Sequence, residues 1–189
     1  MYSAEQKQQK KEEMLNKCFD LFVKQGLENT SVNDLAKYCG TYKAAFYNYF
    51  NSKDDIVFEC AKMYIESIGE VVFSQAILSK EYLRDVLEQA LNILISERDK
   101  MRFVYQVISS PKFGAESRKE LSTIYSRYLD YYDQIAQKFS VDKEKFRVYY
   151  LLFVSAVHDF CLWDNINYSL EKFDYILSNI EKLQQNSKG

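Results

Sequence analysis

One proline and five glycines in 189 residues leave little material for the turns that sheets and long loops require. The same scarcity means that no glycine-rich loop is available to shape an oxyanion site. Long hydrophobic runs are also missing. The most apolar stretch, Val148 to Val157, is interrupted by Ser155 and bounded by Arg147 and by His158-Asp159, so it is too short for a membrane span of about 20 residues. No membrane partner is expected. Cysteine is sparse and scattered, at Cys18, Cys39, Cys60 and Cys161, with no metal-ligand spacing among the four. With a polar N-terminus and no signal peptide, the expectation is a reducing, cytoplasmic location with free thiols buried among apolar neighbours. Neither a metal nor a cofactor is expected.

Strong net charge is absent too, since the balance is −2. The distribution is uneven: residues 1–53 hold eight lysines against six acids, and residues 54–189 hold 17 basic against 21 acidic residues. A slightly basic beginning on an acidic remainder fits a small head that approaches nucleic acid and a larger body that avoids it.

What the chain does have is helical periodicity almost throughout, and the expected fold class is all-α with about nine helices. A polar arm over residues 1–13 leads into a first helix, read from about Ala4 to Lys24, whose apolar positions include Met14, Leu15, Cys18, Phe19, Leu21 and Phe22. Gly26 ends it. A long helix capped by Ser52 runs to about Ile77 and contains Gly69, a close crossing or a hinge. Further helices are expected over Lys80–Ile95, Met101–Ile108, Ala115–Phe139 and Lys143–Trp163, the last apolar nearly all round. Gly114 marks a loop, Asp164-Asn165-Ile166-Asn167 a turn, and Ser169 the cap of a final helix.

Residues 30–53 carry the functional signal. Ser31 as N-cap, with Asp34 three residues later, opens a short helix with Val32, Leu35, Ala36 and Cys39 on its apolar side. Gly40 then turns the chain into a second helix, about Tyr42 to Tyr49, with Thr41 available to cap it. Phe46, Tyr49 and Phe50 fall toward the core, whereas Lys43, Ala44, Tyr47 and Asn48 form a small, polar, basic outer face. Such a face suits the major groove, where small residues permit close approach, a cation meets phosphate, and amides or phenols reach base edges.

This stretch, Gly40-Thr41-Tyr42-Lys43-Ala44-Ala45-Phe46-Tyr47-Asn48-Tyr49-Phe50-Asn51-Ser52-Lys53, resembles the DNA-binding head of the TetR family of bacterial transcriptional regulators, as do Met14 to Phe22, Gly26 and Thr30-Ser31. Tyr42 and Ala45 depart from the residues usual there, serine and threonine. The resemblance implies an N-terminal three-helix helix-turn-helix domain over residues 1–53, with the helix over 53–77 as connector. Residues 54–189 would form a helical ligand-binding and dimerisation domain. It implies a repressor that binds palindromic operator DNA through Thr30, Ser31, Thr41, Tyr42, Lys43, Ala44, Tyr47, Asn48 and Lys53, with Thr30 and Lys53 on phosphates.

A helix-turn-helix protein that reads two half-sites needs a homodimer. Its surface is expected on the last two helices, at Phe153, Val157, Phe160, Phe173, Ile176 and Ile180. An unidentified small organic effector would be held by Tyr64, Ile68, Phe103, Tyr105, Tyr125, Tyr128, Tyr132, Phe153 and His158, which offer apolar walls with a few hydroxyls. Two alternatives stand beside this reading. One is a ligand-independent architectural DNA-binding protein. The other is a cysteine-based enzyme or redox sensor, for which His158, Asp159 and Cys161 supply raw material. No catalytic residue is assigned.

Overall fold

The computed structural model describes residues 3–72, 80–113, 115–163 and 166–186. Among these the secondary structure is helical without strands, in ten helices: α1 Ala4–Gln25, α2 Val32–Tyr38, α3 Lys43–Phe46, α4 Lys53–Val72, α5 Leu83–Ser96, α6 Arg98–Ser109, α7 Ala115–Ser126, α8 Tyr128–Lys138, α9 Lys143–Trp163 and α10 Ile166–Asn186. The expected continuation to Ile77, the loop at Gly114 and the turn at Asp164-Asn165 lie outside the described residues.

The chain divides into two compact units, one of residues 1–64 and 103–119, the other of 65–102 and 120–189. The first unit therefore recruits most of α6 and the start of α7 in addition to the N-terminal helices. Its core gathers Leu15, Cys18, Phe19 and Phe22 of α1, Leu35 and Ala36 of α2, Phe46 and Phe50 around α3, and Ile56 and Cys60 of α4. Aromatic rings tie these elements together: Phe19 sits 5.1 Å from Tyr64 and 5.0 Å from Phe103, and Phe22 lies 5.8 Å from Phe103. Residues from three helices thus share one aromatic cluster, with ring separations in the favourable range.

The helix ends explain where the chain turns. Residues 4–13, expected as a polar arm, are the first turns of α1, which begins at Ala4 because Ser3 and Gln6 form a reciprocal capping box. Ser52 accepts the Asp55 amide at 3.0 Å and starts α4. α4 runs without a break through the buried Gly69.

In the second unit, α9 and α10 pack along each other, and α5 lies against both. Three expectations are corrected here. The helix read over 115–139 is two helices, divided at Arg127, whose amide bonds Ile124 O in a tight i→i−3 turn at 3.1 Å. Ser169 does not cap the last helix but lies inside α10, 1% exposed. α9 is not enclosed on every side either: Val148, Leu151, Leu162 and Trp163 are exposed, so its apolar surplus faces outward.

Candidate nucleic-acid interface

The helix-turn-helix is built by two local devices. Ser31 Oγ accepts the Asp34 amide at 3.2 Å, while Asp34 Oδ2 accepts the Ser31 amide at 2.9 Å, which satisfies two orphan donors of α2. The Ser31 hydroxyl, which also donates to Asp34 Oδ2 at 2.5 Å, and after it the Ser31 amide hold the Asp34 carboxyl below the usual carboxylate range. At the other end Gly40 takes φ +74°, Thr41 N donates to Ala36 O at 2.9 Å and Gly40 N to Lys37 O at 3.0 Å. That pair of bonds is a Schellman closure, and it needs a residue that tolerates the left-handed region.

The second helix of the motif is shorter than its periodicity suggests. α3 is regular only over Lys43–Phe46 and continues as an i→i−3 turn, with Asn48 N on Ala45 O at 3.2 Å and Tyr49 N on Phe46 O at 3.0 Å. Its N-cap is Tyr42, in extended backbone, with no side-chain capping bond, so Thr41 does not take the cap. Phe46 and Phe50 are 0% and 1% exposed, with ring centroids 4.8 Å apart, and fasten this segment to the core. Held from beneath in this way, Tyr42, Lys43, Ala44, Tyr47 and Asn48 all face solvent, Tyr42 at 71% and Tyr47 at 43% exposure. Ser31 is exposed nearby in the chain and Thr41 half-buried.

Two residues expected on phosphate are otherwise engaged. Thr30 is 1% exposed and donates its hydroxyl to Gly26 O at 2.8 Å, which closes the loop before α2. Lys53 places its ammonium on the Leu27 carbonyl, so it ties the start of α4 to the same loop. Both assignments come from motif position, and motif position carries no information about which backbone group stands within reach.

Cationic reach is added from α1 instead. Lys7 lies 5.9 Å from the centroid of the Tyr49 ring, and Lys11 lies 5.8 Å from that of Phe50. In the sequence Lys7 and Lys11 belong to a polar arm of a kind that can touch DNA or simply fray, and their proximity to the α3 segment depends on the packing of α1 against it.

Residues 11–60 match the bacterial regulatory proteins of the tetR family. That match takes in α2 and α3 with the adjoining parts of α1 and α4. Among TetR-type relatives, the HTH-type transcriptional regulator AcrR of Shigella flexneri is 25% identical over 139 residues, 71% of this chain but only 65% of its own length. The aligned stretch thus falls short of two thirds of that relative. A TetR-family regulator from Mesorhizobium loti shares the fold with a TM-score of 0.71 at 14% identity, over 95% of this chain and 97% of its own. AibR, solved in complex with isovaleryl coenzyme A and operator DNA, has a TM-score of 0.60 at 17% identity, with 91% of this chain and 98% of its own covered.

The residues read as an effector site are distributed over both units. In the first, Tyr64 and Phe103 belong to the aromatic cluster around Phe19, and Tyr105 is half-buried. In the second, Ile68 is buried, His158 is exposed, and Tyr132 stacks on Phe146 at 4.9 Å. The Tyr132 hydroxyl donates to the Lys143 carbonyl, and burial pushes its pKa up to about 12. The side chains of Tyr125 and Tyr128 lie outside the described residues.

The dimer residues need correction. Phe153, Val157, Phe160, Phe173, Ile176 and Ile180 are all between 0% and 8% exposed within the single chain. Phe153 packs edge-on to Phe173 at 5.6 Å, and Phe160 is covered by the Arg98 guanidinium at 4.7 Å from its ring centroid. Phe153 and Phe173 join α9 to α10, and Phe160 meets the first residue of α6. The apolar side chains that these two helices leave to solvent are Val148, Leu151, Leu162, Trp163, Tyr168, Leu170 and Tyr175.

The enzyme reading loses its nucleophile. Cys161 is fully buried and its thiol is pushed up to about 11 by burial, the reverse of activation, while His158 is exposed. Among the described residues no three of His, Cys, Asp and Glu cluster in a way that could hold a metal ion.

Proposed function

We propose that this protein is a homodimeric TetR-type transcription repressor that reads a palindromic operator and is released from it by a small organic effector. The observation that carries the DNA half is the solvent-facing set Lys43, Ala44, Tyr47 and Asn48, anchored by the buried Phe46 and Phe50. Ala44 permits close approach to the groove floor, Asn48 can pair with an adenine edge, and Lys43 with Tyr47 can bind phosphate oxygens. Lys7 of α1 adds positive charge beside the same segment, whereas Lys11 is paired with Glu59 at 4.0 Å.

Two heads are needed to span half-sites about 34 to 36 Å apart. The apolar residues exposed on α9 and α10, Leu151 and Trp163 among them, support a second copy as the partner that covers them. AibR was solved with an acyl thioester of coenzyme A as well as DNA. That precedent supports an apolar acyl chain as the first effector chemistry to try.

Selection of duplexes from a random pool by the full chain tests the reading. Enrichment of an inverted repeat, bound by two copies, is the expected result; recovery of no preferred sequence overturns it. With the enriched duplex in hand, acyl-CoA thioesters of increasing chain length should lower its affinity, and by linkage the duplex should lower theirs by the same factor. Equal thioester affinity with and without duplex removes the effector part.

A further inference from the structure

Three of the four cysteines belong to the first unit, and two of them face each other. Cys18, in the middle of α1, and Cys39, the C-cap of α2, place their sulfur atoms 3.8 Å apart in the core. Cys60 is nearby on α4 but is turned to the Leu15 carbonyl at 3.6 Å. A disulfide requires a sulfur separation of about 2.05 Å, so Cys18 and Cys39 must approach by roughly 1.8 Å.

We infer that Cys18 and Cys39 form a peroxide-sensitive thiol pair, whose conversion to an intramolecular disulfide displaces the end of α2 and weakens DNA binding. The site for this modification follows from the paired sulfurs; its consequence for DNA rests on the function proposed above.

The two thiols differ in role. Cys39 is 7% exposed and Cys18 fully buried, so an oxidant reaches Cys39 first. Either thiol can donate to the other across this contact, and Cys39 Sγ also reaches the Met14 carbonyl at 3.7 Å; the contact with Cys18 lowers the Cys39 pKa, and that of Cys18 is raised. Cys39 thiolate attacks one oxygen of a hydroperoxide, the O–O bond breaks, and the leaving oxygen departs as water or an alcohol. The resulting sulfenic acid is then attacked by the Cys18 sulfur, which forms the S–S bond, expels the sulfenic oxygen as water and releases the Cys18 proton to it. Two thiols are oxidised by two electrons, and one peroxide is reduced.

The consequence follows from position. Cys39 immediately precedes Gly40, where the left-handed turn and the Thr41–Ala36 bond set the direction of the chain into Tyr42–Asn48. Well-packed cores shift rather than stretch. Pulling the C-cap toward α1 therefore alters the turn and the placement of the exposed face beyond it.

The test treats the full chain with hydrogen peroxide, blocks remaining thiols by alkylation, and maps peptides by mass. The expected result is a single Cys18–Cys39 linked pair lacking two hydrogens, duplex affinity lowered roughly tenfold or more, and reversal of both by dithiothreitol. Cys39→Ser should bind duplex when reduced and ignore peroxide. Because mapping uses the unaltered protein, a poorly folded variant does not obscure the outcome. Thiols that remain free, a link through Cys60 or Cys161 instead, or a Cys18–Cys39 disulfide without change in affinity each overturns the proposal. Failure of the reduced protein to prefer any duplex would instead sink the DNA reading, while the mass map still decides on the thiol pair.

Discussion

Ser31 and Asp34 hold the start of α2 from both directions, the hydroxyl accepting the Asp34 amide at 3.2 Å and the carboxylate accepting the Ser31 amide at 2.9 Å. Because the folded state favours ionised Asp34, its pKa is depressed relative to the unfolded chain. The stabilisation is therefore present above the unfolded carboxyl pKa and is lost as pH falls through the folded value. Ser31→Ala should cost about 1 kcal/mol near neutrality and reduce the pH dependence of the melting temperature in the acid range. An acid profile identical to that of the unaltered protein would remove Asp34 from this role.

Lys43 and Asn48 should separate charge from sequence reading. Lys43→Ala should weaken all duplexes about equally and lower the slope of affinity against salt by roughly 0.9, the value for one released phosphate contact. Asn48→Ala should instead flatten the preference at one base pair per half-site. Lys53→Ala, whose ammonium rests on the Leu27 carbonyl, is expected to lower thermal stability. Binding titrations at several salt concentrations distinguish the three, and a Lys43 variant with an unchanged slope contradicts the assignment.

The two faces of α9 and α10 predict opposite outcomes for the same substitution. Leu151→Glu, at a position 57% exposed, should yield a folded monomer, because the charge meets solvent in the free chain and a partner only in the dimer. Phe173→Glu, 3% exposed, should fail to fold. Sedimentation reports the mass, and Trp163, the single tryptophan and 72% exposed, reports the interface by a red-shifted emission in the monomer. A dimeric Leu151→Glu would move the interface elsewhere.

Ser140 ends α8 in a left-handed conformation at φ +52°, with Val141 N on Ala136 O and Ser140 N on Gln137 O, both at 3.1 Å. This is the same closure that Gly40 makes, adopted here by a residue with a Cβ. Ser140→Gly should stabilise the protein by up to about 1 kcal/mol, and Gly40→Ala should destabilise it by about 1 to 2 kcal/mol. Gly40→Ala tests backbone strain cleanly, since a Cβ there meets no atom within 4 Å. Denaturant midpoints measure both, and a neutral Gly40→Ala would show that the turn relaxes.

Local chemistry was sufficient for the motif itself. A hydroxyl three residues before a carboxylate, a glycine after a short apolar stripe, and phenylalanines at helical spacing fix caps, turn and anchor within a few residues of each other. Ser31, Gly40, Phe46 and Phe50 were legible for that reason, as was the exposed row Lys43, Ala44, Tyr47 and Asn48. Ser140 gave no such signal, because serine is not a residue that marks the left-handed region.

Periodicity marks an apolar stripe but does not name its partner. Phe153, Val157, Phe160, Phe173, Ile176 and Ile180 form such stripes, and only tertiary packing decides that they are buried within one chain, leaving Leu151 and Trp163 outside. The same holds for side chains that meet across distant sequence. Thr30 and Lys53 are committed to backbone carbonyls, and Cys18 faces Cys39 across 21 positions. A linear pattern determines which residues share a helix face. The face opposite is set by how helices cross, and crossing depends on the shapes of all the side chains at the contact.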